Sequence, residues 1–131
     1  MPESCSILVD RRLIAGEDLA EVTAFYRRLL ESTGLPVTMD PPSLADPPLG
    51  TPADSAVAVA ASNALRKLHL SPEPKGVPYG TDASKFSRAG IPSVVVGPGS
   101  IDQAHTAAEY VPCEQVEQAF EFYRTMMRDF E

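Results

Sequence analysis

The sequence predicts an α/β fold in which short strands alternate with amphipathic helices. Three observations lead there. Residues 4–10 alternate apolar and polar positions, and Ile91–Val96 is a continuous, largely β-branched run. Three other stretches repeat their apolar residues at the 3.6-residue period of a helix. A proline-rich connector over residues 40–53 separates two groups of such elements. At 131 residues, 44% hydrophobic and 22% charged, the composition is that of an ordinary globular chain. Such a chain can bury roughly two thirds of its unfolded surface.

Residues 4–10, Ser-Cys-Ser-Ile-Leu-Val-Asp, read as a strand with Cys5, Ile7 and Val9 on one face. Gly16 breaks that pattern, and Glu17 and Asp18 bring negative charge to the start of a helix. Leu19, Val22, Phe25, Tyr26, Leu29 and Leu30 form its apolar stripe; Gly34 caps it and Pro36 prevents continuation. Val37–Met39 reads as a second short strand. After the connector, Asp54 or Ser55 starts a helix to about Leu68, with Val57, Ala60, Ala61, Ala64, Leu65 and Leu68 facing inward. Residues 71–80 are loop, with Pro72, Pro74, Gly76, Pro78 and Gly80. Thr81 or Asp82 caps a short helix through Arg88, ended by Gly90. Ile91–Val96 then reads as a central parallel strand, and Gly97-Pro98-Gly99 stops it. Glu114–Phe130 is an amphipathic helix with Val116, Ala119, Phe120, Tyr123, Met126, Met127 and Phe130 on its apolar face.

Charge and composition exclude several functions. Eleven Lys and Arg against 18 Asp and Glu leave a net charge of −7, which repels phosphate backbones and argues against nucleic acid. The longest apolar runs, Ala56–Ala61 and Val94–Val96, fall far short of the roughly 20 residues of a membrane helix. Met1-Pro2-Glu3-Ser4 has neither the basic region nor the apolar core of a signal peptide. Cys5 and Cys113 lie far apart without metal or redox spacing and read as reduced, buried thiols of a cytoplasmic protein.

Open α/β sheets bind ligands beyond the C-terminal ends of their strands. The loop there reads Gly97-Pro98-Gly99-Ser100-Ile101-Asp102-Gln103-Ala104-His105. Its glycines let backbone N–H groups approach a ligand closely. His105, as neutral imidazole, can ligate a metal or act as a base, against the plainer reading of a histidine hydrogen-bonded in a turn. Ser100 has no following glycine of a nucleophile elbow, and Gly97 and Gly99 lack the third glycine of a dinucleotide loop. Arg11, Arg12 and Lys85 are each a possible carboxylate contact and, taken singly, read first as solvated cations.

Three segments resemble one family. Val9-Asp10-Arg11-Arg12-Leu13-Ile14-Ala15-Gly16-Glu17-Asp18 is similar to the lid strand and helix start of the zinc-dependent acetylornithine deacetylase, succinyl-diaminopimelate desuccinylase, aminoacylase and carboxypeptidase G family. Gly80-Thr81-Asp82-Ala83-Ser84-Lys85-Phe86 looks like its Gly-Thr-Asp/Glu/Ser segment, and Gly97 to Tyr110 like its last metal-ligand loop. The resemblance runs from about residue 4 to the end; Ala15 stands where a proline is usual. It implies that residues 1–44 are the C-terminal half of a ferredoxin-like lid (strand–helix–strand) that also forms a homodimer. Residues 45–131 would then be the closing part of the α/β zinc-hydrolase catalytic domain. It further implies His105 as a metal ligand, Arg12 as the substrate-carboxylate clamp, and Lys85 as a basic position near the substrate, where arginine is more typical of desuccinylases. Gly99 and Ser100 would belong to the substrate-lining turn.

The implied activity is hydrolysis of an N-acyl amino acid or small peptide-like substrate at an amide next to a free carboxylate. Zinc, or cobalt or manganese, would activate the water, with two ions in the complete enzyme. That chemistry uses a His-x-Asp ligand pair and adjacent glutamates. His69 and His105 are the only histidines, neither begins His-x-Asp, and no two glutamates are adjacent. One ligand falls short of the roughly three that catalytic zinc needs. The chain is therefore expected to be inactive alone, its partner being the missing N-terminal catalytic segment of the enzyme. The other reading is a non-catalytic dimerisation or binding module derived from that family.

Overall fold

The computed structural model describes residues 3–130. Its regular elements are α1 (Leu19–Ser32), α2 (Ala56–Lys67), α3 (Ala83–Arg88), a 3₁₀ turn (Ile101–Gln103) and α4 (Cys113–Asp129). The chain forms two compact units, one from Met1–Gly50 with Val77–Ala89 and one from Thr51–Gly76 with Gly90–Glu131.

The expected α/β class, with its strand–helix–strand lid and its strand-containing catalytic part, is corrected by these elements. The described residues contain helices and connecting segments and no strand. Residues 4–10, 37–39 and 91–96 show why. A strand exists only as one side of a hydrogen-bonded ladder, and no described segment bonds through its backbone to residues 4–10 or 91–96. The side chains agree: Leu8 is 95% exposed and its neighbours Ile7 and Val9 are exposed too, so the alternation separates no inner face from an outer one. Cys5, on the same segment, and Cys113, at the start of α4, are both exposed and not buried as expected. Within 91–96, Val94 and Val96 pack towards the core of their unit while Ile91 and Val95 face solvent.

In the first unit, α1 starts where sequence chemistry puts it. Asp18 accepts hydrogen bonds from the backbone N–H of Ala20 (2.8 Å) and Glu21 (3.1 Å), filling two of the donors that a helix start leaves free. The turn before it is closed by Glu17, which takes the Arg11 guanidinium in a two-pronged pair at 2.5 Å and the Ile14 N–H at 2.9 Å. That pair holds the Glu17 carboxyl below its ordinary pKa and raises that of Arg11. Gly34, just past the helix, takes a left-handed φ of 67°, the usual end of a helix. No residue of α1 is buried.

The core lies in the second unit. Ser55 caps α2, and its alanines bring Ala58, Ala61 and Ala64 to a buried face with no bulk to hold another helix away. Phe122 of α4, 4% exposed, packs into that face with Leu65, Leu68 and Met126 around it. Lys67, at the end of α2, donates to Asp129 at the end of α4 at 2.7 Å and ties the two helices at one end. Among the described residues no helix is long and apolar enough to cross a membrane.

Two outcomes follow from this packing. Phe122→Ala should cost about 3 kcal/mol in urea unfolding, since its ring is the largest buried piece of the α2–α4 contact; a loss below about 0.5 kcal/mol, the range of a surface change, would contradict that. Asp129 is held well below the usual carboxylate range by hydrogen bonds from Arg128 and then Lys67. Its contribution is therefore complete above the unfolded carboxyl pKa, about 3.9, and lost as pH falls through the lower folded value. The melting difference between wild type and Asp129→Asn should be full near neutrality and shrink below about pH 4. A difference independent of pH would refute the assignment.

Candidate functional site

The Gly97–His105 loop is built from its ends inward. At its root, the Tyr123 hydroxyl of α4 donates to the carbonyl of Val96 at 2.7 Å. Two residues into the loop, the Gly99 N–H donates to Gln115 Oε1 at 2.7 Å. Gly99 has φ +94°, and a Cβ there would lie 3.6 Å from Val111 Cγ2, so glycine is needed for backbone conformation more than for space. Ser100 follows with extended backbone and accepts from the Asp102 N–H, opening the 3₁₀ turn. Helix α4 thus grips the loop at two points one helical face apart.

His105 closes the loop in an uncommon way. Its φ is +61°, a left-handed conformation that costs a non-glycine residue about 1 kcal/mol. Its backbone N–H donates to Glu109 Oε2 at 3.1 Å, and Thr106 Oγ1 donates to the Gln103 carbonyl at 2.8 Å. The residue is exposed, and no hydrogen bond to its imidazole is present among the described residues. His69, just past the end of α2, is also exposed and left-handed, with φ 57°, so what sets His105 apart is its place in the loop and its tie to Glu109. Beside the loop root, Leu65, Leu70, Val96, Pro98 and Phe122 line a groove of about 140 Å³, smaller than the roughly 300 Å³ at which ligand pockets begin.

Arg12 and Lys85 belong to the first unit, whereas Gly99, Ser100 and His105 belong to the second. Arg12 is exposed and pairs with Asp10 at 2.8 Å. A Cβ on Gly80 would stand 3.7 Å from Arg12 Nη1, so the arginine lies over the Gly80-Thr81-Asp82 turn that leads into α3. Lys85, one turn into α3, donates to Asp82 at 2.9 Å and has Asp46 at 3.6 Å. The Asp82 bond first, then the charge of Asp46, raises its pKa, and Lys85 in turn lowers that of Asp82. The unit therefore gathers Arg12, Gly80 and Lys85 about one turn, with both cations solvent-facing.

The sequence profile of peptidase family M20/M25/M40 matches residues 13–129. The chain belongs to this family. Among M20/M25/M40-related proteins, it is 31% identical over 128 residues to an acetylornithine deacetylase of Myxococcus xanthus, covering 88% of this chain and 30% of that one. It is 44% identical over 63 residues to an N-acetyl-L-citrulline deacetylase of Xanthomonas campestris pv. campestris, covering 48% and 17%. It is also 34% identical over 58 residues to an acetylornithine deacetylase of Buchnera aphidicola subsp. Schizaphis graminum, covering 44% and 15%. The chain thus spans less than a third of the length of each relative. No solved structure matches it.

Family membership implies a metal, and the residues present do not make up its site: among the described residues no three His, Cys, Asp or Glu are grouped as ligands. Four residues that support the candidate positions were not singled out from sequence. Glu109 falls inside the quoted loop motif, four residues after His105. Gln115 and Tyr123 reach the loop from a helix far along the chain, and Tyr123 carries its polar hydroxyl on a ring that periodicity counts as apolar. Asp46 comes from the proline-rich connector, where spacing carries no signal. If the left-handed conformation of His105 is strained, His105→Gly should be about 1 kcal/mol more stable than His105→Ala in thermal unfolding. Equal stability of the two variants would show that the backbone relaxes without cost.

Proposed function

We propose that this chain is a segment of a metal-dependent amidohydrolase that removes an acyl group from an N-acyl amino acid, an amide next to a free carboxylate. The observation that carries the reading is the loop of Gly97 to His105, strained at His105 and braced by Glu109 and Gln115, in a chain of the M20/M25/M40 family. The printed activities of its relatives, acetylornithine and N-acetyl-L-citrulline deacetylation, supply the substrate class. Residues 1–44 are assigned to the lid half, which pairs two copies, and 45–131 to the catalytic part; the protein is assigned to the cytoplasm.

In this reading Arg12 holds the substrate carboxylate, for which a guanidinium offers two parallel donors. Lys85 adds positive charge beside it; in the second unit, Gly99 and Ser100 belong to a substrate-lining turn. His105 offers its imidazole lone pair as one ligand to zinc, cobalt or manganese. One imidazole is short of the roughly three protein ligands of a catalytic centre, so no reaction step is assigned to this chain by itself. The remaining ligands and the general base belong to the N-terminal catalytic segment. The same shortage supports the second reading, a dimerisation or binding module without catalysis.

Calorimetric zinc titration and an N-acetylornithine hydrolysis assay test the proposal on the chain itself. The expected result is no turnover, together with weak zinc binding that His105→Ala removes. Zinc binding that survives His105→Ala would overturn His105 as the ligand. Turnover by the chain alone would overturn the claim that it needs further ligands.

A further inference from the structure

Helix α4 has a second apolar face that the α2–α4 core does not use, although Tyr123 on it also donates its hydroxyl to the Val96 carbonyl. Val116, Phe120, Tyr123, Met127 and Phe130 follow one another at steps of four, three, four and three residues, the spacing of a coiled-coil seam. All five are exposed, Phe120 by 64% and Met127 by 80%. The face that packs on α2, with Phe122, Thr125 and Met126, lies beside this seam and is distinct from it. The seam runs about 21 Å at 1.5 Å per residue.

The charges bordering the seam select its occupant. Along its solvent side stand Glu117 and Arg124, one heptad apart, in a helix whose first half carries Glu114, Glu117 and Glu121 and whose second half carries Arg124, Arg128 and the Asp129 that pairs with Arg128. Arg124 shares an exposed pair with Glu121 at 2.5 Å, whereas Glu117 has no ion-pair partner among the described residues. The other border of the seam is Ala119 and Met126, both partly buried. Set two copies of α4 antiparallel, with Val116 of one level with Met127 of the other and Phe120 level with Tyr123. Glu117 then faces the Arg124 of the second copy, and by symmetry the same pair forms again. A parallel pair brings these charges against Ala119 and Met126 instead and makes no ion pair. The antiparallel arrangement is also closed, each copy using the same patch.

We propose that α4 is a self-association surface, on which a second copy of this chain packs antiparallel through Val116, Phe120, Tyr123 and Met127 with reciprocal Glu117–Arg124 pairs. The interface uses residues of the second unit alone.

Sedimentation equilibrium over a concentration series tests it, with helix content followed by circular dichroism. Wild type should approach twice the chain mass as concentration rises. Glu117→Arg and Arg124→Glu should each weaken the dimer by about tenfold or more, because each sets like charges opposite one another twice. The double exchange should restore it, which no loss of folding can imitate. Phe120→Lys should abolish it without loss of helix. A monomer at every concentration would overturn the proposal, leaving the seam to a different partner. A dimer or larger species indifferent to the charge exchanges would overturn it too, since that assembly uses another face.

Discussion

The contact of Phe122 with the alanine face of α2 is the constraint on which the second unit depends. An alanine-rich helix face contributes little apolar area of its own, but it allows close approach, and an aromatic ring set into it supplies most of the buried surface available to so small a core. Once α4 is fixed there, Gln115, in line with Phe122 at the start of the helix, and Tyr123, to one side of the packing face, reach the chain at Gly99 and Val96. The order of the candidate loop is thus inherited from a helix pair, although neither helix is expected to touch substrate.

The first unit works differently. It has no buried residue in its longest helix, and its local order comes from polar closure: Arg11 with Glu17, Asp18 on the first turn of α1, Lys85 with Asp82 and Asp46. These pairs are solvent-exposed and individually weak. They distinguish the adjacent arginines: Arg11 is committed to Glu17, while the one ion pair of Arg12 among the described residues is with the exposed Asp10.

The helices were legible in the sequence because their signals are local. Asp18, Ser55 and the apolar spacing of α1, α2 and α4 act within a few residues of one another. The expected strands failed for the opposite reason. A β-branched run such as Ile91–Val96 states a preference, whereas a strand needs a second segment in register, and none of the described segments bonds to it backbone to backbone. The candidate site divides in the same way. Gly97 to His105 was readable as a motif, and Arg12, Gly80 and Lys85 came with the family resemblance. Gln115 and Tyr123 were not, because a glutamine or tyrosine on a distant helix carries no mark of the backbone group it will meet. The left-handed backbone of His105 carries only a weak sequence signal: histidine is among the non-glycine residues enriched in that conformation, as His69 (φ 57°) shows again, but most histidines lie elsewhere.

The central claim is that the α2–α4 contact holds the loop that carries His105. Amide hydrogen exchange at Gly99, read by NMR in wild type and in Phe122→Ala, tests it most directly. Gly99 should lose protection together with the α4 amides, because its acceptor Gln115 moves with that helix. Gly99 protection unchanged while α4 becomes labile would show that the loop is ordered by its own turns, and would contradict the account.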